Sequence, residues 1–298
     1  MPEGIAAFLT PEELHKLGHL TLMSRYVVEG NLAGAHRSAQ RGASSEFADH
    51  RAYIHGDDPK NIDWKVLGRT DRYYVKRYQD ETNLRVYLVL DRSASMKYGS
   101  GDITKFQYAS RLAAALGYVV VKARDSVGLF LCSDKIDAAI QAGNTFLHLN
   151  NMLKHVQETE PASTTEIGRT LNQIAESIRK RALIVILSDL FGAPEELDLA
   201  LAHFRKRRHD VIVLHVLDPA ELELPFKTGV KFVDMETDET IVVDPRSLAR
   251  SYREVFGGFM DRCRKACAEM NIDYRLARTD RSFEDFIREY LEQRRSHH

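Results

Sequence analysis

Val86-Tyr87-Leu88-Val89-Leu90 runs without a break into Asp91-Arg92-Ser93-Ala94-Ser95 and carries the strongest structural signal in the chain. Five consecutive apolar residues, three of them β-branched or aromatic, predict a strand buried on both faces, as in a mostly parallel sheet. The D-x-S-x-S that follows puts one carboxylate and two hydroxyls on alternate residues of a tight loop at the strand's carboxyl end. Hard cations such as Mg²⁺ take oxygen ligands in near-octahedral geometry, and this loop offers three. The bland alternative is that Asp91 and Ser95 only cap a turn and the helix behind it.

Outward from this stretch, short β-branched runs alternate with helical patterns, the mark of an α/β sheet. Thr104 to Arg124 predicts a helix, with Leu112, Leu116, Val119 and Val120 on its apolar side. Strands are expected at Val127 to Cys132, Leu183 to Leu187, Val211 to Leu217 and Ile272 to Leu276, with an antiparallel edge at Ile136 to Ile140. Helices are expected at Asn144 to Glu158, Glu166 to Arg181, Pro194 to Arg208 and Phe283 to Gln293. Val230 to Val233 and Thr240 to Val243 interrupt the alternation as a β-hairpin insertion.

The first 84 residues follow another pattern. Thr10-Pro11-Glu12-Glu13 is a capping box with proline at the first helical position, so a helix starts there and is expected to reach about Val28. Gly30 to Gly56 is small and polar, Gly56-Asp57-Asp58-Pro59 is a turn, and Tyr73 to Tyr78 reads as a strand. The expected organisation is an N-terminal extension, residues 1–84, packed on an α/β domain of residues 85–298.

Composition narrows the function classes. The 298 residues carry 42 Lys plus Arg against 43 Asp plus Glu, a net charge of −1, so a strongly basic nucleic-acid binder is not the default. Three cysteines cannot form a fully paired disulfide framework. The start lacks the basic and apolar regions of a signal peptide, and Leu112 to Val121 is far shorter than the about 20 residues of a membrane span. The expectation is a cytoplasmic protein.

Two distant features strengthen the cation reading. Ser163-Thr164-Thr165-Glu166 offers hydroxyls ahead of a helix, and Ser188-Asp189 ends the strand Leu183 to Leu187 as Asp91 ends its own. In open α/β sheets ligands bind beyond the carboxyl ends of strands, where the strand order reverses. If the two strands are neighbours at that reversal, Asp91, Ser93, Ser95, a threonine at 164 or 165, and Asp189 converge on one point.

These joined features resemble the metal-ion-dependent adhesion site of von Willebrand factor type A domains. The N-terminal text, more specifically, is similar to the bacterial domain-of-unknown-function 58 family. His36-Arg37-Ser38, Glu46-Phe47-Ala48-Asp49-His50-Arg51, Gly56-Asp57-Asp58-Pro59, Ile62-Asp63-Trp64-Lys65 and Arg69-Thr70-Asp71-Arg72 carry that likeness, followed by Asp91 to Met96. It extends from about Phe8 to Tyr290. The resemblance implies a von Willebrand type A-like, mostly parallel sheet with helices on both faces. It also implies Asp91, Ser93, Ser95, Thr165 and Asp189 as a Mg²⁺ site, with Mn²⁺ or Ca²⁺ as substitutes. The glycines that commonly precede the ligand threonine are missing, which leaves Thr164 as a substitute for Thr165. Glu166 is either an acceptor behind the ligands or an early-turn acid favoured by the helix dipole.

Three functions are weighed on this basis. A metal ion held mainly by hydroxyls keeps much of its charge and can take a partner's carboxylate, which is recognition without catalysis. The resemblance adds a partner, a MoxR-type AAA+ ATPase served as adaptor or chaperone-like co-factor. The second reading is a metal-dependent phosphohydrolase with Asp91 as nucleophile, but aspartyl phosphatases carry a second acid two residues on, where this chain has Ser93. No G-x-x-x-x-G-K-[ST] loop is present, so ATP hydrolysis is not expected of this chain. The third is nucleic-acid binding by the N-terminal segment, where ten Lys plus Arg and seven Asp plus Glu lie between Arg25 and Arg77. That excess is modest, and Trp64 is expected to pack inside beside Ile62.

Lesser candidates are His15 and His19, and Cys263 and Cys267, each pair one helical turn apart without further metal ligands nearby. Asp57 and Asp58 are expected to meet Arg51 or Arg69 where the extension docks.

Overall fold

A computed structural model describes residues 3–17, 45–54, 62–80, 84–162, 167–225, 230–233, 240–243 and 245–295. In chain order the first elements are α1 (Glu3–Ala6), α2 (residues 11–17), β1 (Ser45–Ala52), α3 (Trp64–Thr70) and β2 (Tyr74–Asp80). Then come β3 (Arg85–Asp91), α4 (Lys105–Lys122), β4 (Ser126–Cys132), β5 (Ile136–Gly143), α5 (Phe146–Gln157) and α6 (Ile167–Ser177). The rest are β6 (Leu183–Ser188), α7 (Pro194–Lys206), β7 (Asp210–Leu217), α8 (Pro219–Glu223), β8 (Val230–Val233), β9 (Thr240–Val243), α9 (Pro245–Glu269), β10 (Asp273–Arg278) and α10 (Phe283–Arg295). Met1–Gly34 and Leu84–His298 make one compact unit, and Ala35–Asn83 makes a second.

The larger unit is built on a six-stranded sheet in the order β10-β7-β6-β3-β4-β5. Every pairing is parallel except that of β5 with β4. This is the von Willebrand type A-like α/β fold expected from the sequence, with β5 as its antiparallel edge. The buried run of β3 lies at the centre and serves both faces, because successive side chains of a strand point to opposite sides. Val86, Leu88 and Leu90 join the core under α4, α5 and α10, together with Ile5, Leu9 and Leu17 from the chain start. Tyr87 and Val89 join the opposite core, under α6, α7 and α9.

Strand order places the reversal between β3 and β6. The chain leaves β3 for β4 on one side, then returns to β6 on the other, and Leu90 stands opposite Leu187. The carboxyl ends of these two strands are therefore side by side, the arrangement that leaves a crevice for a ligand.

Local capping starts the helices where the sequence signals them. Thr10 N–H donates to Glu13 Oε2 at 2.6 Å, and Glu13 N–H to Thr10 Oγ1 at 3.3 Å, so the capping box ahead of α2 forms. Its expected extension to Val28 lies outside the described residues. Thr104 and Gln107 make a second box at α4. The hairpin insertion is present, with Phe232 opposite Ile241.

In the smaller unit β1 pairs antiparallel with β2, with a register shift between Phe47 and Asp49. Only β2 was expected. The residues of β1, SEFADHRA, contain no β-branched side chain, so the strand owes its existence to the ladder with β2, a non-local partner. Asp63 caps α3 by accepting from Lys65 N–H and Val66 N–H. Ile62 and Val75 are buried there, whereas Trp64 is 62% exposed, which corrects the expectation that it packs inside. The cap explains the difference: it draws Asp63 inward and leaves the first helical residue, Trp64, facing solvent.

Candidate functional site

Asp91 is the last residue of β3 and is buried. Its Oδ1 accepts from Ser93 N–H at 2.8 Å and its Oδ2 from Ser188 Oγ at 2.6 Å. The carboxylate is thereby fixed by both neighbouring strand ends. Burial and the nearby Asp189 charge push its pKa up to about 6, against the pull of the Ser188 and Ser93 hydrogen bonds.

The chain then tightens into a 3-10 turn, Ala94–Lys97, which holds the two serines together. Ser93 Oγ and Ser95 Oγ are 3.0 Å apart. Two oxygens bound at right angles to one Mg²⁺, each at about 2.0 to 2.1 Å, stand about 3 Å apart, so the serines match one edge of an octahedron. The hydroxyl pair fits a hard cation such as Mg²⁺, which takes oxygen ligands.

Of the second loop, Ser163, Thr164, Thr165 and Glu166 lie outside the described residues. Its flanks are described. Ala162 N–H donates to the Arg92 carbonyl at 2.9 Å, and on α6 Thr170 Oγ1 donates to the Ser133 carbonyl at 3.1 Å. The second loop thus departs from a residue bonded to the D-x-S-x-S loop itself.

The third loop carries Asp189, also buried. Phe191 N–H donates to its Oδ1 at 3.2 Å. Leu190 has φ 57°, a left-handed conformation unusual for a bulky residue, and its N–H donates to Ser188 Oγ at 2.8 Å. From β7, His215 Nε2 holds the Asp189 carbonyl at 2.8 Å while Nδ1 meets Tyr274 OH at 2.6 Å. Donation through Nε2–H and acceptance from the tyrosine satisfy a neutral imidazole completely.

Lys105 was missed from sequence. It is the first residue of α4, fully buried, and its Nζ reaches Asp189 Oδ2 at 2.7 Å and Glu221 Oε1 of α8 at 2.6 Å. The Phe191 ring lies beneath it, with the centroid at 4.8 Å. Burial pulls the ammonium's pKa down, but the two carboxylates outweigh it and hold the pKa above the ordinary lysine value. One signal was legible: a cation in the first turn of a helix opposes the helix dipole and calls for compensation by acids. Glu221 was signalled only as the third helical residue of the Asp218-Pro219-Ala220-Glu221 capping box, which forms at α8.

Other expected features contribute no ligands. Among the described residues no group of three or more His, Cys, Asp or Glu is arranged to hold a metal ion. Cys263 and Cys267 are buried on α9. His19, Asp57 and Asp58 lie outside the described residues, and with them the expected pairing to Arg51 or Arg69.

The chain matches the family described as "Protein of unknown function DUF58" over residues 49–264. A relative from Mycobacterium tuberculosis, "Uncharacterized protein Rv1480", is 27% identical over 230 residues, covering 76% of this chain and 72% of the relative. Among solved structures, BatB of Bacteroides thetaiotaomicron is 18% identical with a TM-score of 0.45, covering 72% of this chain and 99% of that one. An aerotolerance-related membrane protein from Bacteroides fragilis is 19% identical with a TM-score of 0.48, covering 70% and 99%. The SpRpn10 VWA domain is 13% identical with a TM-score of 0.35, covering 45% and 76%.

The expectation of a cytoplasmic protein is corrected to no assigned compartment: the Bacteroides fragilis neighbour is described as a membrane protein, a description of that protein alone. No helix among the described residues is long and apolar enough to cross a membrane, and that absence excludes a helical crossing there without assigning a compartment. With the matched segment covering most of the chain, this protein belongs to the DUF58 family.

Proposed function

We propose that the chain is a non-enzymatic, Mg²⁺-dependent protein-recognition module that engages an acidic side chain of its partner. The supporting observation is the 3.0 Å spacing of Ser93 Oγ and Ser95 Oγ in the loop that follows β3, whose carboxyl end lies beside that of β6, the strand that leads to Asp189. A bound Mg²⁺ would supply an exchangeable position for a carboxylate from outside. Ser93 and Ser95 would ligate it directly, with Thr165 or Thr164 from the second loop. Asp91 and Asp189 would orient its waters, and Glu166 would act behind them.

The phosphohydrolase alternative loses ground to the same geometry. Both Asp91 oxygens already accept a hydrogen bond and the carboxylate is buried, which weakens it as a nucleophile while each oxygen keeps a lone pair for a metal-bound water.

The partner reading is an adaptor or chaperone-like role beside a separate MoxR-type AAA+ ATPase, and it rests on the family resemblance. Calorimetric titration with Mg²⁺ of the wild type, Ser93→Ala and Asp189→Ala tests the site. Affinity purification of the wild type and both variants, with and without Mg²⁺, asks whether an AAA+ ATPase co-elutes. Metal binding and partner recovery that are unchanged in folded variants would sink the proposal.

A further inference from the structure

We infer that Lys105 is a built-in competitor for the candidate site: its ammonium and a divalent cation contend for Asp189, so that Lys105 sets how tightly the metal is held. The inference deepens the metal-site reading and rests on it.

Three observations carry it. First, Lys105 is fully buried yet carries an ammonium at a helix N-terminus, two placements that each disfavour a cation. Its contacts to Asp189 and Glu221, with the Phe191 ring 4.8 Å from Nζ, offset that cost. Second, those contacts are short, 2.7 and 2.6 Å, and come from the loop after β6 and from α8 after β7, both beyond the carboxyl end of the sheet. One of the two acids is the third-loop aspartate that would orient the waters of the metal. Third, Glu221 is itself anchored, because its Oε2 accepts from Asp218 N–H at 2.8 Å, and Tyr252 OH donates to its carbonyl at 2.7 Å. Lys105 therefore has a second, fixed acid to stay with if Asp189 turns towards a metal.

The charge inventory shows how the competition works. Asp91 and Asp189 offer two negative charges to a cation that carries two positive ones, and Lys105 neutralises one of them in advance. Like charges close together in a partly desolvated site repel strongly, so the ammonium lowers the affinity for the metal. Glu221 relieves that repulsion by holding the ammonium from the other side.

Two substitutions then act in opposite directions. In Glu221→Gln the ammonium is left to Asp189 alone, and the site should hold Mg²⁺ several-fold more weakly. Lys105→Met alone would leave two buried acids unpaired and could unfold the chain. The decisive variant is therefore Lys105→Met with Glu221→Gln. It removes one positive and one negative charge, so the net charge of the site is unchanged while Asp189 is released.

The test is calorimetric titration of the intact chain with Mg²⁺ alone, accompanied by thermal unfolding with and without Mg²⁺. The double variant is expected to bind Mg²⁺ roughly tenfold more tightly than the wild type or better, and to gain more thermal stability from it. Equal Mg²⁺ affinity in the wild type and the folded double variant overturns the competition and leaves the metal site standing. No Mg²⁺ binding by either protein at millimolar concentration overturns both. Binding by the double variant alone supports the competition in its strongest form, with Lys105 excluding the metal.

Discussion

Ser188 Oγ donates to Asp91 Oδ2 across 2.6 Å, joining the carboxyl ends of two adjacent parallel strands. The same oxygen accepts from Leu190 N–H at 2.8 Å, so one hydroxyl holds both the first aspartate and the turn that presents the second. Ser188→Ala leaves a buried carboxylate oxygen and a buried N–H without this partner. The expected cost is about 2 kcal/mol or more. Urea unfolding measures it, and a loss below about 0.5 kcal/mol would show that the hydroxyl is dispensable.

Acid should weaken the fold through His215. Its pKa is lowered to about 4, chiefly by burial and further by Lys105 and Arg264, against the pull of Asp189. In the unfolded chain the same group titrates near 6.5. Between these values the unfolded chain binds a proton that the folded chain refuses. The His215 contribution is therefore fully present above about pH 6.5 and is lost as pH falls towards 4, by about 3 kcal/mol in all. Unfolding free energies of the wild type and His215→Gln, compared from pH 7.5 to 4.5, should converge as the pH drops. Parallel curves would refute it.

Two glycines should respond to alanine with opposite signs. A Cβ on Gly168 of α6 would stand 2.7 Å from the Glu196 backbone carbon and 2.8 Å from Leu197 N, so α6 and α7 must part. Gly168→Ala is expected to cost about 1–3 kcal/mol. Gly258, within α9, has nothing within 4 Å of such a Cβ. Gly258→Ala should stabilise by up to about 1 kcal/mol through helix propensity. Thermal melts of both variants check the pair.

The thiols should be inert in the native chain. Cys132, Cys263 and Cys267 are all buried, and burial pushes the Cys263 and Cys267 pKa values up to about 11 and about 12. A colorimetric thiol reagent at pH 8 is expected to leave the folded protein almost unmodified and to titrate three thiols in denaturant. Fast reaction of a cysteine in the folded state would contradict this burial.

The central strand, the antiparallel edge, the hairpin insertion and the helices from α4 to α7 were legible because their signals are local. A run such as Val86 to Leu90 has to be covered on both faces wherever it occurs. A Thr-Pro-Glu-Glu sequence satisfies its own helix N-terminus. β1 was not legible, because SEFADHRA pairs only when β2 is brought alongside it. Trp64 was misjudged because its neighbour Ile62 is apolar and buried, whereas its own direction follows from the Asp63 cap.

The oxygen-rich spacing of Asp91, Ser93 and Ser95 and the α/β class can both be read without coordinates. Both are written in residues next to one another, where alternation and apolar runs have a single structural meaning. Which groups meet at the switch point depends on the folded chain. Asp91 meets Ser188 because β3 and β6 are adjacent, and Lys105 meets Asp189 and Glu221 across 84 and 116 residues of sequence. A buried ammonium takes whichever acids the packed loops bring within reach, and that choice is made by strand order and helix placement rather than by residue spacing.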